Sequence, residues 1–120
     1  LKRLLRANSE ALFFASQNNG LVNGWFRSLE PAKNIPEAVL QKASSYDPAW
    51  SAKAFTDIKA ALSDAQVAKM GTLAEWGVEA KLLPRLPDGS KFIDRTIAAE
   101  VDAEAVTRGF DAKSVKILRA

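Results

Sequence analysis

Three tryptophans, Trp25, Trp50 and Trp76, and the single tyrosine, Tyr46, are the side chains best suited to build a ligand box. Trp25 and Trp76 recur on apolar helical stripes, which predicts core packing for both. Trp50 stands beside Tyr46 in a proline-containing stretch and is the stronger pocket candidate. Arg85 and Lys91 flank a proline-rich loop, where a guanidinium and an ammonium can face an anion. Tyr46, Trp50 and Arg85 are therefore the candidate ligand-binding residues.

Catalytic chemistry is narrowly bounded. The 120 residues include no histidine and no cysteine. Disulfides, thiol nucleophiles and every triad or metal site built on imidazole or thiolate are excluded. No Gly-x-Ser-x-Gly elbow, Ser-x-x-Lys pair or phosphate-binding glycine loop occurs. Asn19-Gly20 and Asn23-Gly24 lack the preceding strand that such a loop requires. Asp94 with Glu100, and Asp102 with Glu104, match no metal-ligand spacing and read as helix caps and surface charge. The sequence supplies no catalytic residue, no metal ligand and no cofactor site.

Hydrophobic residues make up 48% and charged residues 26%, which suits one folded domain rather than a disordered chain. Seventeen basic against fourteen acidic residues leave a net charge of +3. The basic residues are scattered beyond the Leu1–Arg6 start, which argues against nucleic acid as a partner. No apolar run is long enough to span a membrane. The basic start is followed by Asn8, Ser9 and Glu10, which interrupt any signal-peptide core. With Leu1 already inside a helical pattern, the chain is expected to be trimmed, processed or part of something longer.

The elements that must position these residues are helical. Residues 1–18 read as a helix with Leu1, Leu5, Leu12 and Ala15 on one stripe and Phe13 and Phe14 widening it. Asn18-Asn19-Gly20 stops it. A second helix carries Leu21, Val22, Trp25, Phe26 and Leu29 and ends at Pro31. Pro36 opens a short third helix with Val39, Leu40 and Ala43 facing inward. Residues 44–51 read as a loop and 53–62 as an irregular connector.

Ser63 and Gln66 form a capping-box pattern, so a helix starts at Asp64 and fades near Lys81. Val67, Met70, Leu73, Ala74 and Trp76 supply its apolar side, while Gly71 and Gly77 permit close packing. On this reading Trp76→Ala costs about 3–5 kcal/mol. Residues 84–91 form a loop, with Phe92 and Ile93 as an apolar anchor after it. Asp94 caps a helix carrying Ile97, Ala98 and Val101, and a further turn from Asp102 to Arg108 ends at Gly109. Ser114–Leu118 reads as a short strand or a tail. The expected class is mainly α, about five helices in a single helical unit spanning 1–120.

Two stretches resemble a known family. The run from Asn34 to Ala43, Asn-Ile-Pro-Glu-Ala-Val-Leu-Gln-Lys-Ala, is similar to a late helix of periplasmic substrate-binding proteins. The branch is the nitrate, sulfonate and taurine type, with the thiamine-precursor binders. The segment from Ser63 through Leu82-Leu83-Pro84 to Phe92-Ile93-Asp94 is similar to that family's helix near the C-terminus. Leu4 to Asn18 is similar to its long leucine- and alanine-rich helix. Residues 102–120 run past the point where the family is expected to stop, as a C-terminal extension.

The resemblance implies the C-terminal helical part of a two-lobed α/β fold, with both lobes upstream of Leu1. It implies a solute-binding role for an ABC importer, in which the lobes close on a small anionic or sulfonate-like ligand. The implied partners are that ligand, the importer's permease and the rest of the same protein. The implied location is periplasmic or extracellular. No ligand residue carries over by position. Two alternatives stay open: a free-standing helical protein-interaction domain, and an enzyme on the same fold of the desulfinase or thiamine-pyrimidine synthase type.

Overall fold

The computed structural model describes residues 1–118. They form six helices and no strand: α1 (Lys2–Gln17), α2 (Asn19–Arg27), α3 (Glu37–Ser44), α4 (Asp64–Glu79), α5 (Gly89–Phe92) and α6 (Thr96–Arg108). Single 3-10 turns lie at Glu30–Ala32, Pro48–Ser51, Phe55–Asp57 and Ala112–Ser114. The mainly α class is as the sequence predicts.

Local chemistry sets most of the boundaries. Asn18 breaks helical geometry with φ −134°, and its side-chain amide donates to the Phe14 carbonyl at 2.9 Å. The Asn18 carbonyl then accepts from Val22, so one residue closes α1 and opens α2. Ser63 and Gln66 make the reciprocal capping box: Gln66 Oε1 accepts from the Ser63 amide at 2.8 Å and Ser63 Oγ from the Gln66 amide at 3.2 Å. Past α4, Lys81 takes a left-handed φ of 60°, and the Leu82 and Leu83 amides both return to the Gly77 carbonyl. The returning Leu83 side chain packs against Gly77, where an added Cβ would lie 3.0 Å from it and the leucine would have to shift. Gly109, at φ 60°, ends α6 as a left-handed C-terminal glycine does.

The core is aromatic and small. Phe13 of α1, Phe55 of its 3-10 turn and Phe110 after α6 meet pairwise, with centroids 5.6–6.4 Å apart. Ala52, Ile58 and Ala105 complete the buried cluster, and Leu12, Ala49 and Ala112 pack against it. Phe13 meets both other rings edge-to-face, a geometry that adds to area burial, while Phe55 and Phe110 are tilted. The stretch 53–62 is irregular as expected, yet it delivers Phe55 and Ile58 to the centre. Asp57 makes that possible by accepting from the Lys53 and Ala54 amides at 2.8 and 2.9 Å, tying the turn to itself.

Several expectations are corrected. Thr96–Arg108 is one continuous helix, and its N-cap residue is Arg95 rather than Asp94, which accepts from the Thr96 amide in a turn just before the helix. Val39 and Ala43 face solvent, and only Leu40 of that trio is half-buried. Phe92 is 76% exposed and anchors nothing. Met70, Leu73 and Trp76 are exposed too, Trp76 at 59%, so the apolar side of α4 is not core within this chain. Trp25 is 44% exposed, half-covered by a stacked Phe14. The periodicity on α4 was a sound sign of a helix but could not say what covers its face. Residues 115–118 adopt no strand, and Phe110 and Ala112 of the 102–120 stretch pack on the core. Ala120 and its neighbour at 119 lie outside the described residues.

The Cα radius of gyration is 17.6 Å, against about 14 Å for a compact domain of this length. α3, α4 and α5 all pack only loosely on the other elements.

Candidate functional site

The best-defined charged arrangement joins the first helix to the last. Lys2 Nζ contacts Glu100 at 3.0 Å and Glu104 at 2.5 Å, Arg6 pairs with Glu104, and Glu10 pairs with Arg108. Each step advances four residues on both helices, so α1 and α6 run parallel with one stripe of each in register. The Arg108 guanidinium also lies 5.7 Å over the Phe55 ring, coupling the ladder to the aromatic core. Hydrogen bonds from Lys2 and then Arg6 hold the Glu104 carboxyl below the usual glutamate range. Bonds to Glu104 and then Glu100 push the Lys2 ammonium up. Asp102, on the neighbouring face of α6, accepts from the Ala60 and Ala61 amides at 2.7 and 3.1 Å. These acids are structural, as the sequence reading of caps and surface charge has it.

The three candidate ligand residues are not brought together. Tyr46 is 77% exposed at the end of α3. Arg85 is exposed on a shallow depression of about 430 Å³ that it shares with Asp88 and Lys91. Lys91 lies 3.6 Å from Asp88, and the Ser90 hydroxyl and amide hold the Asp88 carboxyl below its ordinary range. An ionised carboxylate therefore stands in the depression where an anion was expected. That weakens the Arg85–Lys91 anion reading.

Trp50 lines a smaller depression of its own. This cavity, about 220 Å³, lies between α2, α3 and the 3-10 turn at Pro48–Ser51. Asn19 and Asn23, one helical turn apart on α2, form its other wall. Asn19 Nδ2 donates to the Trp50 carbonyl at 3.4 Å. In the sequence Asn19 reads as part of a helix stop and both asparagines as poor phosphate-loop residues. Their four-residue spacing facing Trp50 is the signal that was there to be found.

Apolar surface is left open elsewhere. A groove of about 550 Å³ runs between α1, α2 and the C-terminal tail, walled by Phe14, Val22, Trp25, Phe110, Val115 and Ile117. A second depression, of about 390 Å³, lies where Met70 of α4 approaches Leu5, Phe92 and Ile97. Beyond it, Leu73, Trp76, Leu82 and Leu86 stand exposed on the α4 arm. Among the described residues no group of three or more acidic side chains could hold a metal ion, and no helix is long and apolar enough to cross a membrane.

Comparison of the chain with protein-family models, curated proteins and solved structures finds no match.

Proposed function

We propose that the chain is the C-terminal helical part of a solute-binding protein of the nitrate, sulfonate and taurine importer type. In that reading two α/β lobes, formed by other residues of the same protein, close on a small anionic or sulfonate-like ligand. The observation that carries it is the uncovered apolar face of α4 and the segment after it. Met70, Leu73 and Trp76 of α4 and Leu82 and Leu86 after it are all exposed, large apolar side chains within one stretch of seventeen residues. A neighbouring lobe of the same protein would cover it. The resemblance of residues 34–43 and 63–94 to late helices of that family supplies the identity of the cover.

The chain's own part in such a protein is mechanical. The aromatic core and the α1–α6 ladder hold one rigid body, and α4 docks the lobe to it. Ligand binding then favours the closed arrangement of the lobes by differential affinity. Periplasmic location and an ABC permease as partner follow from the same reading.

A second reading is favoured by the α1–α6 ladder. It ties the first helix to the last around a core of their own, as a free-standing helical interaction domain would. Its open α4 face would then meet a separate protein.

The test is the polypeptide made by the native gene. The first reading expects a product much larger than 13.0 kDa that taurine, nitrate or another small sulfonate or anion stabilises saturably against heat. A product of that small size, with a cooperative melt and no response to such anions, contradicts it and leaves the interaction domain.

A further inference from the structure

Two Asn-Gly pairs lie on α2, at Asn19-Gly20 and Asn23-Gly24, and the proposed function uses neither. An asparagine followed by glycine is set up to react with its own backbone. The glycine has no Cβ to shield its amide nitrogen from the asparagine side chain. Once a base in solution takes the amide proton, the glycine nitrogen attacks the asparagine Cγ. The N–Cγ bond forms, the Cγ–Nδ2 bond breaks, and Nδ2 leaves as ammonia with a proton from water. Water then opens the resulting succinimide at either carbonyl, leaving aspartate or isoaspartate in place of the asparagine.

The fold treats the two pairs differently. The first backbone bond of α2 runs from the Val22 amide to the Asn18 carbonyl. The Gly20 amide therefore sits among the orphan donors of the first turn and makes no hydrogen bond among the described residues. Gly20 is also exposed. The Gly24 amide lies inside the helix, directed at the Gly20 carbonyl four residues back. The side chains differ in the same sense. Asn19 Nδ2 reaches the Trp50 carbonyl only at 3.4 Å, and Asn19 Oδ1 is buried with no partner. Swinging this side chain into water breaks one long bond and hydrates an unsatisfied oxygen. Asn23 is only 6% exposed. Ring closure also turns the asparagine ψ out of the helical range. At Asn19 that unwinds a helix end, whereas at Asn23 it breaks the middle of α2 and uncovers a buried side chain.

Asp88-Gly89 is the third pair open to this chemistry. The Ser90 hydroxyl and amide bond the Asp88 carboxyl at 2.6 and 3.2 Å and favour its ionised form, a poor electrophile. We propose that Asn19 is a site of spontaneous deamidation in the folded protein, reacting ahead of Asn23 and Asp88. The product places a negative charge at the first residue of α2, where the helix dipole favours it and no acid otherwise stands in the first turn. Where the product is isoaspartate, the backbone gains a carbon at the α1–α2 junction. The site is independent of the solute-binding reading, whose ligand lies between lobes outside the chain.

The experiment ages the native polypeptide in mildly alkaline buffer and follows each pair by peptide mapping, with fragmentation that separates isoaspartate from aspartate. Asn19 is expected to convert about tenfold or more faster than Asn23, with no isoaspartate accumulating at position 88 over the same period. In denaturant the two asparagines are expected to convert at similar rates, which assigns the difference to the fold. Gly20→Ala, at a position where an added Cβ meets nothing within 4 Å, is expected to fold and to suppress conversion at position 19. Equal rates at Asn19 and Asn23 in the folded protein, a faster Asn23 or Asp88, or no conversion at Asn19 while denatured protein converts, each overturns the proposal. Conversion at position 19 indifferent to Gly20→Ala overturns it as well.

Discussion

Two parts of this chain answer the same problem differently. Around Phe13, Phe55 and Phe110 the protein buries its aromatics against itself and seals the seam between α1 and α6 with opposite charges in register. On α4 a helix just as well specified, with the better cap of the two, presents its apolar side to solvent. The difference teaches that helix formation and helix burial are separate questions. Capping and periodicity settle the first within a dozen residues. The second depends on a surface the helix does not own. On the α4 side, Arg95 reaches back to the Leu62 carbonyl at 2.9 Å and to Asp64 at 2.7 Å, so the base of the arm is held while its face stays open.

Substitutions can break or sharpen this contrast. The largest effect is expected in the core, where Phe55→Ala should cost about 3–5 kcal/mol in chemical denaturation, because Phe55 is 6% exposed against two other rings. Asp102→Ala leaves the Ala60 and Ala61 amides without their acceptor and should cost about 1–3 kcal/mol by the same measurement. Ser63→Ala removes half of the capping box and should cost about 1 kcal/mol, read as lost helicity and stability.

The ladder yields a smaller effect, with a sign. Glu104 is held below its ordinary range, so its contribution is complete above the unfolded glutamate range and fades as pH falls through the lower folded value. Lys2 is pushed up, so its contribution is complete below the unfolded lysine range and fades as pH rises through the higher folded value. Glu104→Gln should flatten the acid limb of a stability–pH curve, most visibly at low salt. The smallest effect should be Trp76→Ala in the 120-residue chain, within about 0.5 kcal/mol, since the indole is already largely in water. A core-sized loss there would erase the distinction between the two regions.

Much of this was legible in the residues. Asn18, Ser63–Gln66 and Gly109 mark helix ends through backbone chemistry that acts over three or four residues, while Asp94 only makes a turn ahead of α6, whose N-cap residue is Arg95. The core was harder, because Phe55 lies in an irregular stretch with no periodicity, and only its contact with Phe13, 42 positions away, reveals its place. The ladder was present as matched spacings, Lys2, Arg6 and Glu10 against Glu100, Glu104 and Arg108. Nothing local says that helices so far apart in the chain meet. Of the candidate ligand residues, Trp50 and Arg85 line separate half-open depressions and Tyr46 stands exposed. Tyr46 and Arg85 were chosen by residue type, and type does not determine which side chains converge.

The apolar side of α4 is exposed in this chain, and the proposal is that another part of a larger protein covers it. Amide hydrogen exchange tests it most directly, comparing α4 with α1 in the polypeptide made by the native gene and in the 120-residue chain. The account predicts weak protection of residues 67–79 in the chain alone, rising in the native product to match residues 6–17 of α1. Protection of α4 equal to that of α1 in the chain alone, or no gain in the native product, would contradict it.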